Sequence, residues 1–138
     1  MSEPLIGNCR LIDLTVLGDA RGSLVAIEQG RDVSFNIRRV YYLFGTTPGV
    51  DRGFHAHHNL TQLAVAVAGG CTMILDDGSR RVEMRLDEPA KGLLIGSHIW
   101  REMTDFTDDC VLMVLADAPY DEADYVRDYD EFLTLARA

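Results

Sequence analysis

Two histidines separated by one residue carry the clearest chemical signal in this chain. His55 and His57 lie in the run Arg52-Gly53-Phe54-His55-Ala56-His57, between a glycine turn and a long apolar segment. Residues two apart on a β-strand share a face, so both rings are expected to point the same way. Paired imidazoles on one wall of a sheet act either as metal ligands or as an acid/base pair, because histidine binds metals and exchanges protons near neutral pH.

Short β-like runs separated by turn residues make up most of the chain. The expected strands cover residues 7–17, 23–29, 38–44, 52–57, 62–68, 71–75, 81–86, 92–95 and 111–116. Many short strands without helical patterns between them indicate a sandwich or a barrel. Only the C-terminal segment has helical spacing, with Asp128 or Asp130 as its cap. The sequence therefore predicts an all-β fold with a short C-terminal helix.

Length and composition predict one globular domain over residues 1–138. The chain is 47% hydrophobic, which is enough to bury a core. It contains neither a run of about 20 apolar residues nor a signal-peptide pattern, so we expect a cytoplasmic protein with no membrane partner. Cys9, Cys71 and Cys110 form no C-x-x-C motif, and we expect small buried side chains rather than a disulfide framework.

The formal net charge of −9 limits the choice of ligands. Nucleic acids demand a basic face, so no nucleic-acid partner is expected. A small anionic ligand remains compatible, because salt screens surface fields within about 8 Å and local arginines can outweigh the global charge. Much of the negative charge is expected on a solvated face near the C-terminus, formed by Asp121, Glu122, Asp124, Asp128 and Asp130.

The histidine pair lies within a longer pattern that resembles the first cupin motif, G-x5-H-x-H-x4-E-x6-G. Gly49, His55, His57 and Gly69 match at every spacing, whereas Gln62 stands where the motif has glutamate. Cupins are jelly-roll barrels. The resemblance therefore implies a cupin jelly-roll β-barrel, which agrees with the strand pattern.

Half of the usual cupin metal-ligand set is missing. Arg101 falls where the second motif supplies its histidine, and a guanidinium has only donors. Gln62 is a weaker oxygen ligand than a carboxylate. Two histidines alone rarely hold a transition metal, and an adjacent cation repels one. We predict no metal and no cofactor, with a metal-dependent cupin enzyme as the alternative.

Most of the chain from about residue 38 onward resembles the nucleotide-sugar 3,4-ketoisomerases, a family with a cupin fold. The matching segments, in order, are Arg39-Val40-Tyr41-Tyr42, the run from Arg52 to His57, Leu75-Asp76-Asp77-Gly78, Lys91 to Trp100, Asp105 to Leu112 and Tyr120 to Tyr129. The resemblance implies conversion of dTDP-4-keto-6-deoxy-D-glucose to its 3-keto isomer through an enediol, without a cofactor, in a homodimer. Arg101 departs from the pattern, since histidine is expected there in many members.

The catalytic residues expected for such a tautomerisation are His55, His57 and Tyr42. The two histidines are assigned as the acid/base pair, and their order of action is left open. One of two adjacent tyrosines must face inward, and the resemblance favours Tyr42 over Tyr41. Tyr42 is then expected to donate to the developing enediolate oxygen.

The expected substrate-binding residues are Arg52, Trp100 and Arg101. Arg52 is placed near the barrel mouth, where it binds the diphosphate through paired donors, with a surface ion pair to Asp51 or another carboxylate as the alternative. Trp100 either stacks on the thymine or packs in the core. The specific role of Arg101 is left open.

Two further functions compete with the ketoisomerase. A non-catalytic nucleotide-sugar-binding cupin would bind the nucleotide without forming an isomer. A nucleotide-sugar 3,5-epimerase has a related barrel and uses a histidine base with a tyrosine acid. The paired histidines and the matching C-terminal segment favour the ketoisomerase.

Overall fold

The computed structural model describes residues 2–138, which form thirteen strands and one α-helix. The strands are β1 (Ser2–Pro4), β2 (Arg10–Asp13), β3 (Val16–Asp19), β4 (Gly22–Val25), β5 (Arg39–Leu43), β6 (Arg52–His57), β7 (Gln62–Ala68), β8 (Cys71–Asp76), β9 (Arg81–Leu86), β10 (Lys91–Ile95), β11 (Trp100–Thr104), β12 (Val111–Ala116) and β13 (Tyr125–Val126). A 3-10 turn at Glu122–Asp124 precedes β13, and helix α1 spans Tyr129–Ala136.

Two antiparallel sheets pack face to face. The six-stranded sheet has the order β1-β2-β10-β7-β12-β5, and the five-stranded sheet has the order β13-β6-β11-β8-β9. Strands β3 and β4 pair only with each other, as a separate hairpin. The all-β prediction is confirmed. The two sheets form a sandwich, which is consistent with the expected cupin jelly roll, and no strand pairing joins their edges in the described part of the chain.

Alternation along the strands determines which side chains enter the sandwich. On β7, Ala64 and Ala66 face the core shared by the two sheets, while Leu63 and Val65 pack beneath the segment that contains Val33. Gln62 lies two residues before Ala64 and therefore shares the inward face. A polar amide thus enters one end of an otherwise apolar interior.

Helix α1, which the helical spacing of the C-terminal segment predicted, covers the outer face of the five-stranded sheet. Asp128 caps it by accepting a hydrogen bond from the Glu131 amide. Phe132 is fully buried against Ala56, Trp100 and Val126. The helix therefore supports β6 from behind, on the side opposite to the histidine rings. No helix within residues 2–138 has the length and apolarity needed to cross a membrane.

Candidate active site

A β-bulge in β6 brings the functional side chains to one face. Opposite β11, Arg101 pairs with His55 but Glu102 pairs with Gly53, so Phe54 is an extra residue. Gly53 and Phe54 both have positive φ, at 95° and 56°. Simple alternation places Arg52 and His55 on opposite faces. The bulge inserts one residue and thereby brings both side chains to the same face, where Arg52 remains exposed.

This face opens into a cavity of about 380 Å³ between the two sheets. Its lining combines arginines, aromatic rings and one histidine: Arg39, Tyr41, Leu43, Arg52, Gly53, His55, Met103, Tyr120, Tyr125 and Arg127. His57 lines a neighbouring, smaller cavity of about 190 Å³. The two histidines are adjacent but do not share one cavity.

The hydrogen bonds of the two rings determine which nitrogen of each carries a proton. His55 Nδ1 lies 3.1 Å from the Gly53 carbonyl oxygen, which only accepts, so Nδ1 carries the proton. His57 Nδ1 lies 3.0 Å from a carboxylate oxygen of Asp124. The ring centroids are 5.0 Å apart in an edge-to-face arrangement. Both rings therefore keep an unprotonated Nε2, and that of His57 is buried without a partner.

Burial keeps both imidazoles neutral. Desolvation, followed by the charge of Arg101, lowers the pKa of His55 to about 4. Desolvation, Arg101 and His55 lower the pKa of His57 to about 2, although the carboxylate of Asp124 acts in the opposite direction. At neutral pH the site therefore holds two bases and no imidazolium acid.

Arg101 is a buried cation surrounded by neutral acceptors. Its side chain is 3% exposed and donates to the Ile99 carbonyl and to Gln62 Oε1. Gln62 Nε2 in turn donates to the Tyr41 hydroxyl over 3.0 Å. Buried charges are usually paired with an opposite charge. This guanidinium instead leaves its positive field directed at the histidines and at Tyr41.

The expected orientation of the two tyrosines is wrong. Tyr42 is 62% exposed on the outer face of β5, whereas Tyr41 faces inward and lines the cavity. The register with β12 decides this, because Tyr41 pairs with Val114, whose side chain belongs to the core. Tyr41 could not be identified from the sequence, because alternation alone does not say which of the two sets of alternate residues in a strand faces inward.

The cavity mouth is basic despite the acidic chain. Arg39, Arg52 and Arg127 all line it, and Arg39 Nε is buried without a hydrogen-bond partner. Asp51, which the alternative assignment pairs with Arg52, accepts a hydrogen bond from the Thr104 hydroxyl. Arg52 therefore lies at the cavity, where the sequence placed it. Local positive charge of this kind is what an anionic ligand requires.

Trp100 lies away from the cavity, contrary to its assignment as a substrate-binding residue. It neighbours Arg101 on β11 and therefore points to the opposite face, where it is 4% exposed against Phe132. Its indole nitrogen donates to Glu102 over 2.9 Å. Trp100 thus packs beneath helix α1, and the core alternative describes its position.

The expected solvated acidic face is wrong for Asp124. One carboxylate oxygen of Asp124 contacts His57, and the other accepts from the Asn59 amide over 2.7 Å. The ring centroid of Tyr125, the next residue, lies 4.4 Å from that of His57 and 5.0 Å from that of His55. Strand β13 has only two residues, so no periodic signal in the sequence could reveal that it pairs with β6.

The donor set does not fit the metal site of other cupins. Arg101 and Gln62 are hydrogen-bonded to each other at the positions that would complete the ligand set. Within residues 2–138, no cluster of three or more histidine, cysteine or acidic side chains has the geometry to hold a metal ion. The histidines are held instead by a carbonyl and a carboxylate.

Comparison with known proteins connects this geometry to sugar-nucleotide enzymes. A family model described as "FdtA: WxcM-like, C-terminal" matches residues 7–137. The TDP-4-oxo-6-deoxy-alpha-D-glucose-3,4-oxoisomerase of Aneurinibacillus thermoaerophilus is 51% identical over 123 residues, covering 89% of this chain and 88% of that protein.

Solved structures agree with the sequence comparison. WlaRB, the TDP-quinovose 3,4-ketoisomerase of Campylobacter jejuni, superposes with a TM-score of 0.90 at 46% identity and covers 94% of this chain and 99% of its own. A variant of the 3,4-ketoisomerase QdtA of Thermoanaerobacterium thermosaccharolyticum, solved in complex with TDP-4-keto-6-deoxyglucose, has a TM-score of 0.94 at 38% identity over 96% of each chain.

Proposed function

The chain belongs to the FdtA family, whose relatives described above are TDP-sugar 3,4-ketoisomerases, and we propose that it converts dTDP-4-keto-6-deoxy-D-glucose to the dTDP-3-keto-6-deoxyhexose. One structural observation carries the proposed chemistry. A neutral His55, tethered through Nδ1 to the Gly53 carbonyl, stands on the wall of a cavity rimmed by arginines.

His55 is the residue that moves hydrogen between the sugar carbons. The reaction removes the proton on carbon 3 and delivers one to carbon 4. Oxygen 4 gains a proton when the enediol forms, and oxygen 3 loses its hydroxyl proton when the new ketone forms. A neutral imidazole with a free Nε2 can accept the first proton and return it as imidazolium. His55 is favoured over His57 because it lines the larger cavity, whereas His57 is 1% exposed and lies behind it.

Negative charge that develops on the enediolate oxygens is stabilised by Tyr41 and Arg101. Tyr41 takes the role expected of Tyr42, because its side chain lines the cavity and its hydroxyl accepts a hydrogen bond from Gln62. The Arg101 guanidinium has no carboxylate among its hydrogen-bond partners. Because this guanidinium is only 3% exposed, little water screens its charge, and a fixed charge of this kind stabilises an anionic transition state.

The diphosphate is bound at the cavity mouth by Arg52 together with Arg39. Both line the cavity, and the unpartnered Nε of Arg39 is a donor without an acceptor in the described residues. Arg127 also lies there, but its guanidinium is engaged by Glu122 at 2.8 and 2.9 Å. Two arginines with free donors suit the bidentate geometry of phosphate.

The test is turnover of the 4-keto sugar nucleotide in D₂O, followed by NMR. Wild type is expected to form the 3-keto isomer, and H55N to lose at least about 10²-fold in kcat while still binding TDP. H58N is the matched control, because His58 is exposed and follows the last residue of β6. Nucleotide binding by the wild type without isomer formation would favour the non-catalytic alternative.

We also propose that the chain works as a homodimer in the cytoplasm. Hairpin β3–β4 exposes Leu17 and Leu24, while Tyr42 on the outer face of β5 and Phe44 just after its end are also exposed. Apolar surfaces of this kind commonly mark an interface. The three cysteines are buried free thiols, as is usual in a reducing compartment. Light scattering is expected to give twice the chain mass, and a monomer at micromolar concentration would contradict the dimer.

A further inference from the structure

A chain of hydrogen bonds runs from Arg101 through Gln62 to Tyr41. Arg101 Nη1 donates to Gln62 Oε1, and Gln62 Nε2 donates to the Tyr41 hydroxyl oxygen over 3.0 Å. The direction of this chain is fixed, because a guanidinium has donors but no acceptor. The amide oxygen must therefore face Arg101, and the amide nitrogen must face Tyr41.

This polarity determines where the Tyr41 proton goes. A hydroxyl that receives an N–H from Gln62 cannot donate its own proton back to that nitrogen. The proton is then available to an acceptor in the adjoining cavity, which Tyr41 lines beside His55. A glutamate at position 62 would reverse the arrangement, because a carboxylate accepts from both Arg101 and Tyr41.

We infer that Gln62 is a positioning residue, whose amide relays the fixed polarity of Arg101 to Tyr41 and directs the Tyr41 proton into the substrate cavity. The inference rests on the proposed ketoisomerase function and deepens it. It also gives a physical reason for glutamine where the cupin spacing has glutamate. A carboxylate would satisfy the buried guanidinium better, but it would remove the hydrogen-bond donor from the cavity.

The decisive variant is Q62E, which has nearly the same shape and supplies Arg101 with an opposite charge. Its thermal unfolding temperature is expected to equal or exceed that of wild type. Its kcat is expected to fall by about 10²-fold, the loss typical of one missing oxyanion donor, with KM and TDP affinity unchanged. Y41F should lose a similar factor, and the double variant should lose no more than either single variant.

Q62L separates the relay from simple packing. It removes both hydrogen bonds but leaves the Tyr41 proton free to enter the cavity, so its kcat should exceed that of Q62E although it unfolds at a lower temperature. A purely structural role predicts the reverse order of kcat, since Q62L leaves a buried donor of Arg101 unsatisfied.

The proposal is overturned if Q62E retains wild-type kcat, if Q62E fails to fold, or if the losses of Q62E and Y41F multiply in the double variant. These outcomes are distinct from failure of the proposed function, in which wild type itself would form no isomer. Turnover by wild type is therefore measured first, on the same preparation of sugar nucleotide.

Discussion

Replacing His57 by asparagine should weaken the dependence of stability on pH. His57 is 1% exposed, and its burial, followed by the charge of Arg101, lowers its pKa despite the contact with the Asp124 carboxylate. Its pKa is lowered from 6.5 to about 2 in the folded chain. The unfolded chain therefore binds a proton below about pH 6.5 that the folded chain does not bind, so stability falls as the pH falls.

The size of the effect follows from these two pKa values. At pH 7.5 both states are neutral at this site and the contribution is close to zero. At pH 5.0 the unfolded state gains about 2 kcal/mol from protonation, since 1.5 pH units separate this pH from the unfolded pKa. For a chain of this length, that corresponds to roughly 6–8 °C in the unfolding temperature.

The assay is chemical denaturation of wild type, H57N and H58N at pH 5.0 and 7.5. Wild type and H58N should lose about 2 kcal/mol more than H57N between the two pH values. The comparison cancels the titration of the many carboxylates, which all three proteins share. Equal losses in wild type and H57N would refute the conclusion that His57 is buried and neutral.

Two further outcomes follow from the geometry of β6. Because burial and Arg101 lower the pKa of His55 to about 4, kcat/KM should stay flat from pH 8 to pH 5, and an acid limb centred near pH 6.5 would contradict a neutral His55 as base. A methyl group at Gly53 would lie 2.9 Å from the Arg101 carbonyl oxygen at a φ of 95°, so G53A should cost about 1–3 kcal/mol and lower kcat. G49A is its control, since Gly49 also has positive φ but has no heavy atom within 4 Å of the added position; equal effects of both variants would remove the role assigned to the bulge.

Local patterns of residues were sufficient to predict the fold class and the elements that carry it. The expected strands at residues 52–57, 62–68, 81–86 and 111–116 coincide with β6, β7, β9 and β12, and the C-terminal helix begins after Asp128. The expected strand over 7–17 is broken into β2 and β3, and β11 was missed. Strand β11 follows a turn in which His98 adopts a positive φ. The alternation of apolar and polar residues does not indicate such a turn, so the start of β11 could not be predicted from it.

Fewer of the site residues than of the strands could be predicted from the sequence. The spacing of His55 and His57 and the position of Arg52 follow from contiguous residues. Asp124 reaches His57 from 67 residues away, through a two-residue strand. Long-range contacts of this kind depend on how the elements pack, so nothing in the local sequence marks Asp124 as different from the acidic residues around it.

Residue type and spacing along one chain were sufficient to identify the paired histidines, the incomplete cupin ligand set and the family resemblance. The packed strands were needed to establish that Tyr41 rather than Tyr42 faces inward, that Trp100 packs beneath the helix, and that Gln62 links Arg101 to the cavity. Those outcomes depend on strand register and on a bulge. A shift of one residue in either exchanges the two faces of a strand, and the physical constraint that sets the register lies in the neighbouring strands.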